Sequence, residues 1–203
     1  QRGQRGAQQP AEPVKQVVAP IASAMEVTGP GPFFETFMDS HDDEKNVQVP
    51  AKDIYARYNY EAKEYFIQGT ANGQPYKTRI VVRKPRDNSR FSGLVLAESM
   101  HGSGAGHMFE YTSTYTMASG HGALEILTTA PMQFQAMNGE RYKDLSIAGG
   151  QANDVIAQAG ALAKSGALFG PTPVRKMVLG GTSMSAGTMI NYLPAHMVYR
   201  TPR

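Results

Sequence analysis

Hydrophobic and polar residues alternate in the first patterned part of the chain and later give way to continuous apolar runs. Tyr60–Gly69 is rich in aromatic and β-branched residues, which favour β-strands. An Asn-Gly turn follows, and the next stretch, Tyr76–Arg83, alternates so that Arg79 and Arg83 share the side opposite Ile80. The pattern predicts a β-hairpin with one solvent-exposed face, as at the edge of a sheet.

From residue 93 onward, short apolar runs alternate with stretches of helical spacing. Such runs are typical of strands that are covered on both faces. The predicted buried strands are Gly93–Ala97, Ala123–Leu127 and Lys176–Leu179, and the predicted helices are Phe109–Ala118, Asn153–Lys164 and an apolar stretch ending near Val198. The alternation predicts an α/β fold with a mostly parallel sheet, helices on both faces and an N-terminal antiparallel hairpin.

The N-terminal stretch differs in composition from the rest of this 203-residue chain, whose length suits one domain. Residues 1–30 are rich in Gln, Pro, Ala and Gly without a hydrophobic period, so we expect a flexible segment there and the domain over 31–203. The chain begins with a polar run at Gln1 rather than with Met. Either a signal peptide has been removed or the sequence has been trimmed, and the polar start leads us to expect an exported protein, secreted or periplasmic.

Composition excludes several classes of partner. The net charge is +3, but Lys and Arg are scattered singly rather than clustered with aromatic residues as in nucleic-acid-binding proteins. The absence of cysteine excludes a disulfide framework and a thiolate nucleophile. No apolar run reaches the roughly 18–20 residues that span a bilayer. We therefore expect neither a nucleic-acid partner nor a membrane partner.

One acidic cluster, residues 41–44, superficially resembles a metal motif. It reads His41-Asp42-Asp43-Glu44, and adjacent residues point in different directions instead of converging at the usual ligand spacing. The cluster is better interpreted as a solvated charged turn. We therefore expect neither a metal nor a cofactor.

The segment with the most chemical content joins the third buried strand to the helix after it. It reads Gly181-Thr182-Ser183-Met184-Ser185, a nucleophile-elbow pattern with Ser185 in place of the last glycine. Small flanking residues let strand and helix approach closely, and the sharp turn exposes the Ser183 hydroxyl. The Met184 N–H then lies at the helix start, where the helix dipole favours a developing oxyanion. The pattern predicts Ser183 as a catalytic nucleophile and Met184 as an oxyanion donor.

A glycine-rich stretch follows the first buried strand and supplies the second predicted donor. It runs from Met100 to His107, and glycine there allows a backbone N–H to face a substrate. We expect His101 and Gly102 to form the rest of the oxyanion hole. Met100, His107 and Glu98 are expected to line the pocket, although a hydrogen-bonded structural role is the alternative for Glu98.

Three motifs give the chain a family resemblance over about residues 55–203. They are the RFSG segment at 90–93, the MHGSG loop at 100–104 and the GGTSMSAG elbow at 180–187. The chain resembles bacterial alpha/beta hydrolase domain-containing proteins. The resemblance implies an exported serine hydrolase that acts on small-molecule esters, with Ser183 matching the nucleophile.

The chain departs from the hydrolase pattern after the nucleophile. In α/β-hydrolases the acid and the histidine of the triad follow the serine in the sequence. Here His196 is the only histidine after Ser183, no Asp or Glu follows, and His196 lies on the same predicted helix. We therefore expect a fold that is incomplete at its C-terminal side. A C-terminal portion is expected to supply the acid and the histidine, either as a separate chain, such as a cleaved C-terminal half, or as later residues that this sequence lacks.

Two alternatives remain open at this point. The elbow also resembles the serine motif of subtilisin-like proteases, and His101-Gly102-Ser103 resembles their histidine motif. However, Gly187 stands where that family usually has proline, and no upstream Asp-Ser/Thr-Gly segment is present. The second alternative is a hydrolase fold that has lost catalysis and serves as a binding module.

Overall fold

The computed structural model describes residues 16–34, 40–42, 47–49, 51–102 and 106–200. Its strands are β1 (Val17–Val18), β2 (Ser23–Glu26), β3 (Ser40–Asp42), β4 (Val47–Val49), β5 (Tyr60–Ala71), β6 (Gln74–Pro85), β7 (Leu94–Ser99), β8 (Gly122–Ile126), β9 (Lys176–Gly180) and β10 (Tyr199–Arg200). Its helices are α1 (Ala51–Tyr58), α2 (His107–Ala118), α3 (Met132–Met137), α4 (Gly139–Tyr142), α5 (Ala152–Lys164) and α6 (Met184–His196). Among the described helices, none has the length and apolarity that crossing a bilayer requires.

Six strands form one mixed sheet in the order β2-β5-β6-β8-β7-β9. The strands β2, β5, β6 and β8 pair in succession as antiparallel neighbours, and β7 pairs in parallel with both β8 and β9. The predicted hairpin is therefore β5–β6, and the predicted buried strands are β7, β8 and β9. Two small sheets, β1–β10 and β3–β4, lie apart from it.

Helices cover both faces of the sheet, as the sequence predicts. On one face, Val155, Ala159 and Leu162 of α5 pack against Ile80 and Leu124 in a shared apolar core. The other face is covered by α1 and α2, and farther along by α3 and α4. The α/β class and its layered arrangement are confirmed. Because β7 and β9 end beside each other, the segments that follow them meet at the same edge of the sheet.

The prediction of a solvent-exposed hairpin face is wrong. The side chains of Arg79 and Arg83 are at most 1% exposed, and β6 is an inner strand with a partner on each side. Arg79 forms an ion pair with Glu64, and Arg83 forms one with Glu125. Buried guanidinium groups require such partners, and α1–α4 cover the face that the polar pattern assigned to water.

Part of the segment predicted as flexible is built into the fold. Residues 1–15 lie outside the described residues, whereas β2 forms an outer strand of the sheet against β5. Arg141 of α4 donates hydrogen bonds to the carbonyl oxygens of Val27 and Gly31, at 2.9 and 2.6 Å. These bonds attach the chain around residue 30 to the buried face. The side chains of the 41–44 cluster also lie outside the described part of the protein.

Candidate active site

The corner between β9 and α6 has a strained backbone at Ser183. Its φ is +51° and its ψ is −123°, a combination that side-chain-bearing residues rarely adopt. Such a conformation costs on the order of 1–3 kcal/mol and persists where the surrounding structure holds it. Ser183 is exposed, and its hydroxyl makes no capping hydrogen bond to the helix that it precedes. The hydroxyl is thus presented at the surface.

Residues on either side of Ser183 hold this corner closed. The Ser185 hydroxyl accepts a hydrogen bond from the Thr182 N–H at 2.9 Å and donates one to the Thr182 carbonyl at 2.7 Å. A Cβ at Gly181 would lie 2.7 Å from the Ser185 carbonyl oxygen, so only glycine fits there without a shift. The serine at the last position of the motif therefore fastens the turn through its buried hydroxyl.

The glycine-rich loop after β7 reaches the elbow. A Cβ at Gly102 would lie 3.2 Å from the Met184 Cε, which places the two predicted oxyanion segments beside each other. Residues 103–105 are outside the described part of the loop. The assignment of the Met184, His101 and Gly102 N–H groups as oxyanion donors remains a prediction.

His107, the first residue of α2, contacts both segments. Its imidazole Nδ1 is 3.1 Å from the Thr182 hydroxyl oxygen. Its ring stacks on the ring of His101, with centroids 4.8 Å apart and planes 28° apart. The loop after β7, the start of α2 and the elbow therefore converge on one place.

The other two predicted pocket residues are buried below this surface. Glu98 is 1% exposed, and its carboxylate accepts hydrogen bonds from the N–H groups of Met108 and Phe109 at 2.9 and 2.8 Å. Met100 lies in the core cluster and contacts the guanidinium of Arg79 through its sulfur atom. These contacts support a hydrogen-bonded structural role for Glu98, which was the alternative to lining the pocket. They satisfy free N–H groups at the start of α2.

A separate apolar cavity of about 930 Å³ lies between α5, α6 and the sheet. Its lining includes Ile156, Leu179 and Tyr192, but not Ser183. Cavity size therefore does not mark the candidate site. We assign the site from the backbone of the elbow and the groups that converge on it.

Residues 19–201 match a family model described as alpha/beta hydrolase domain. The chain belongs to this family. The membership confirms the resemblance in the sequence and favours it over the subtilisin-like alternative. A search of curated proteins finds no match.

Solved structures similar to this hydrolase domain include three esterases. Esterase Est22 is 10% identical with a TM-score of 0.44, and the match covers 73% of this chain and 44% of that one. Esterase E25 is 15% identical with a TM-score of 0.39, covering 74% and 41%. The rice cell wall degrading esterase LipA from Xanthomonas oryzae is 10% identical with a TM-score of 0.41, covering 89% and 48%. The chain spans less than half the length of each of them.

A buried pair of glutamate carboxyl groups lies beneath the site of the hydrolase domain. Glu98 and Glu125 occupy paired positions on β7 and β8. Burial, with a further contribution from the Glu125 carboxylate, raises the pKa of Glu98 to about 8. The folded protein therefore keeps the Glu98 carboxyl group protonated up to a higher pH than the unfolded chain does. The stability that Glu98 contributes is complete below its ordinary pKa of 4.5 and is lost as the pH rises through about 8.

Glu98→Gln is expected to reduce this pH dependence. Glutamine keeps one acceptor for α2 but has no charge to desolvate at high pH. Between pH 5 and pH 9, the variant should lose less unfolding free energy than the parent, by more than about 1 kcal/mol. Urea denaturation at several pH values measures the difference. The exposed Glu140→Gln is the control, and a Glu98→Gln profile parallel to that of the parent would contradict the assignment.

Proposed function

We propose that this hydrolase domain cleaves carboxylic esters through an acyl-enzyme formed on Ser183. The observation that carries the proposal is the exposed hydroxyl on a strained, positive-φ corner between a parallel strand and a helix. Strained backbone that the surrounding structure maintains is concentrated at functional sites. A strand–turn–helix corner of this kind presents the nucleophile in α/β-hydrolases.

The proposed reaction has two steps. The Ser183 oxygen attacks the ester carbonyl, its proton passes to a histidine, and the carbonyl oxygen takes up the negative charge. The N–H of Met184 and one from the His101–Gly102 loop stabilise that oxyanion. The alcohol leaves with the proton, and water then hydrolyses the acyl-serine to release the carboxylic acid and the free enzyme.

The proposal requires an acid and a histidine from outside the described chain. His196 is the last residue of α6, and its Nδ1 is 3.4 Å from the Tyr192 hydroxyl. A rise of 1.5 Å per residue places it roughly 20 Å along the helix from Ser183, too far to accept its proton. We propose that a C-terminal portion of the same hydrolase supplies both groups.

The surface beside the elbow fits such an addition. Within the described sheet, β9 pairs only with β7, so its other edge has no described partner. Val178 on β9, Ile190 and Leu193 on α6 and Met197 just after it are all at least 44% exposed. Exposed apolar side chains near an unpaired strand edge are characteristic of an interaction surface. Secretion, or a periplasmic location, remains a prediction from the sequence.

A substrate comparison tests the proposed activity on the complete enzyme, meaning this chain together with the proposed C-terminal portion. We expect release of p-nitrophenol from p-nitrophenyl acetate and butyrate, without release of peptides from casein. Cleavage of casein would instead support a protease. Failure to cleave either substrate, in a preparation whose native mass includes the C-terminal portion, would support the non-catalytic binding module.

A further inference from the structure

His107 occupies the junction of the three segments that form the candidate site. Its ring stacks on His101 of the loop after β7, and its Nδ1 pairs with the Thr182 hydroxyl of the elbow. The two predicted oxyanion segments therefore contact the same side chain from two sides. No other part of the proposed mechanism uses this imidazole.

The position of His107 is set by rigid structure. The Glu98 carboxyl group on β7 accepts hydrogen bonds from the N–H groups of Met108 and Phe109, so the first turn of α2 is fixed to the sheet. Met108 also packs over the end of β9, because a Cβ at Gly180 would lie 3.0 Å from the Met108 Cε. A side chain on such a support can hold a loop in register with a neighbouring segment.

We propose that His107 is a positioning residue that ties the His101–Gly102 loop to the elbow and so fixes the spacing of the oxyanion donors. This inference rests on the proposed function, because a fixed spacing matters only if an oxyanion forms there. In this role the imidazole acts through its contacts with Thr182 and His101. Misalignment of one oxyanion donor costs up to about 10²–10³-fold in kcat.

Matched variants separate the hydrogen bond from the ring contact. Thr182→Val keeps the shape and removes the hydroxyl, and His107→Phe keeps a ring that can stack on His101. In the complete enzyme, each substitution should lower kcat on p-nitrophenyl butyrate about 10-fold or more and change KM by less than about 2-fold. Thr182→Ser restores the hydroxyl and should recover most of that loss. Tyr115→Phe, two turns along α2, is the control for hydroxyl removal.

The double variant Thr182→Val/His107→Phe tests whether the two side chains act as a unit. If they share one interaction, kcat of the double variant should be about as low as that of either single variant. If their roles are independent, the two fold-losses in kcat should multiply. Multiplied losses, or an unchanged kcat in both single variants, would overturn the proposal.

Hydrogen exchange provides a readout that does not depend on catalysis. In both single variants, amide exchange should become faster over residues 100–102 and 182–186, and it should remain at the parent rate in β5 and β6. Unchanged exchange at the elbow and loop would overturn the proposed positioning role of His107 even if Ser183 is the nucleophile. Conversely, if Ser183→Ala keeps full ester hydrolysis, the proposed function fails, and faster exchange would still support the contact between the segments.

Discussion

Ser183→Ala is expected to abolish ester hydrolysis by the complete enzyme while leaving its stability unchanged. Loss of the nucleophile in serine hydrolases costs on the order of 10⁴–10⁶-fold in kcat. The Ser183 residue is exposed and its hydroxyl makes no capping hydrogen bond, so its removal breaks no hydrogen bond of α6. The measurement is kcat on p-nitrophenyl butyrate together with urea denaturation of the same samples.

Ser185→Ala, two residues away, should lower the stability of the fold instead of removing the nucleophile. Its buried hydroxyl closes the turn through two hydrogen bonds with Thr182, and its removal should cost about 1–3 kcal/mol of unfolding free energy. The pair thus separates chemistry from structure within one motif. Equal activity in Ser183→Ala and the parent would show that the hydroxyl has no chemical role.

Glu64→Ala is expected to produce the largest loss of stability in the molecule. The Glu64 carboxylate is fully buried and binds Arg79, Arg141 and the Tyr142 hydroxyl, the last two at 2.7 and 3.0 Å. Its removal leaves two buried guanidinium groups without their only described carboxylate. Breaking a buried ion pair from one side costs about 3–5 kcal/mol, and this cluster also attaches residues 27–34 to the sheet.

A neighbouring exposed ion pair provides the control for Glu64. Lys63 pairs with Glu26 at 3.1 Å, but more than a third of each side chain is exposed. Lys63→Ala should therefore change the unfolding free energy by no more than about 1 kcal/mol. Urea denaturation of both variants measures the contrast. A loss below about 1 kcal/mol in Glu64→Ala would show that the cluster is not the anchor of the N-terminal segment.

The elbow could be predicted from the sequence because its signals are local. An apolar strand, two glycines and a serine directly before a helical pattern lie within a dozen residues, and the chain itself brings them together. The same holds for α5, whose apolar spacing is continuous, and for the β5–β6 hairpin with its Asn-Gly turn. Each of these elements was predicted to within a few residues.

The buried charges could not be predicted from the sequence, because their partners are distant along it. Arg79 and Arg83 gave a polar side to β6, and only the fold shows that Glu64 and Glu125 neutralise them. Glu98 was expected in the pocket because it lies at a strand end beside the glycine-rich loop, with a structural role as the alternative, and its side chain binds the start of α2. A single charged residue inside an otherwise apolar strand was the available signal for such burial.

The most direct test of the central claim is to identify the residue that reacts with a fluorophosphonate in the complete enzyme. Tryptic cleavage after Lys176 and Arg200 gives one peptide that contains both Ser183 and Ser185, and its fragment ions distinguish the two. We expect the adduct on Ser183 alone, and none at this site in Ser183→Ala. An adduct on Ser185, or active enzyme without any adduct in this peptide, would contradict the assignment of Ser183 as the nucleophile.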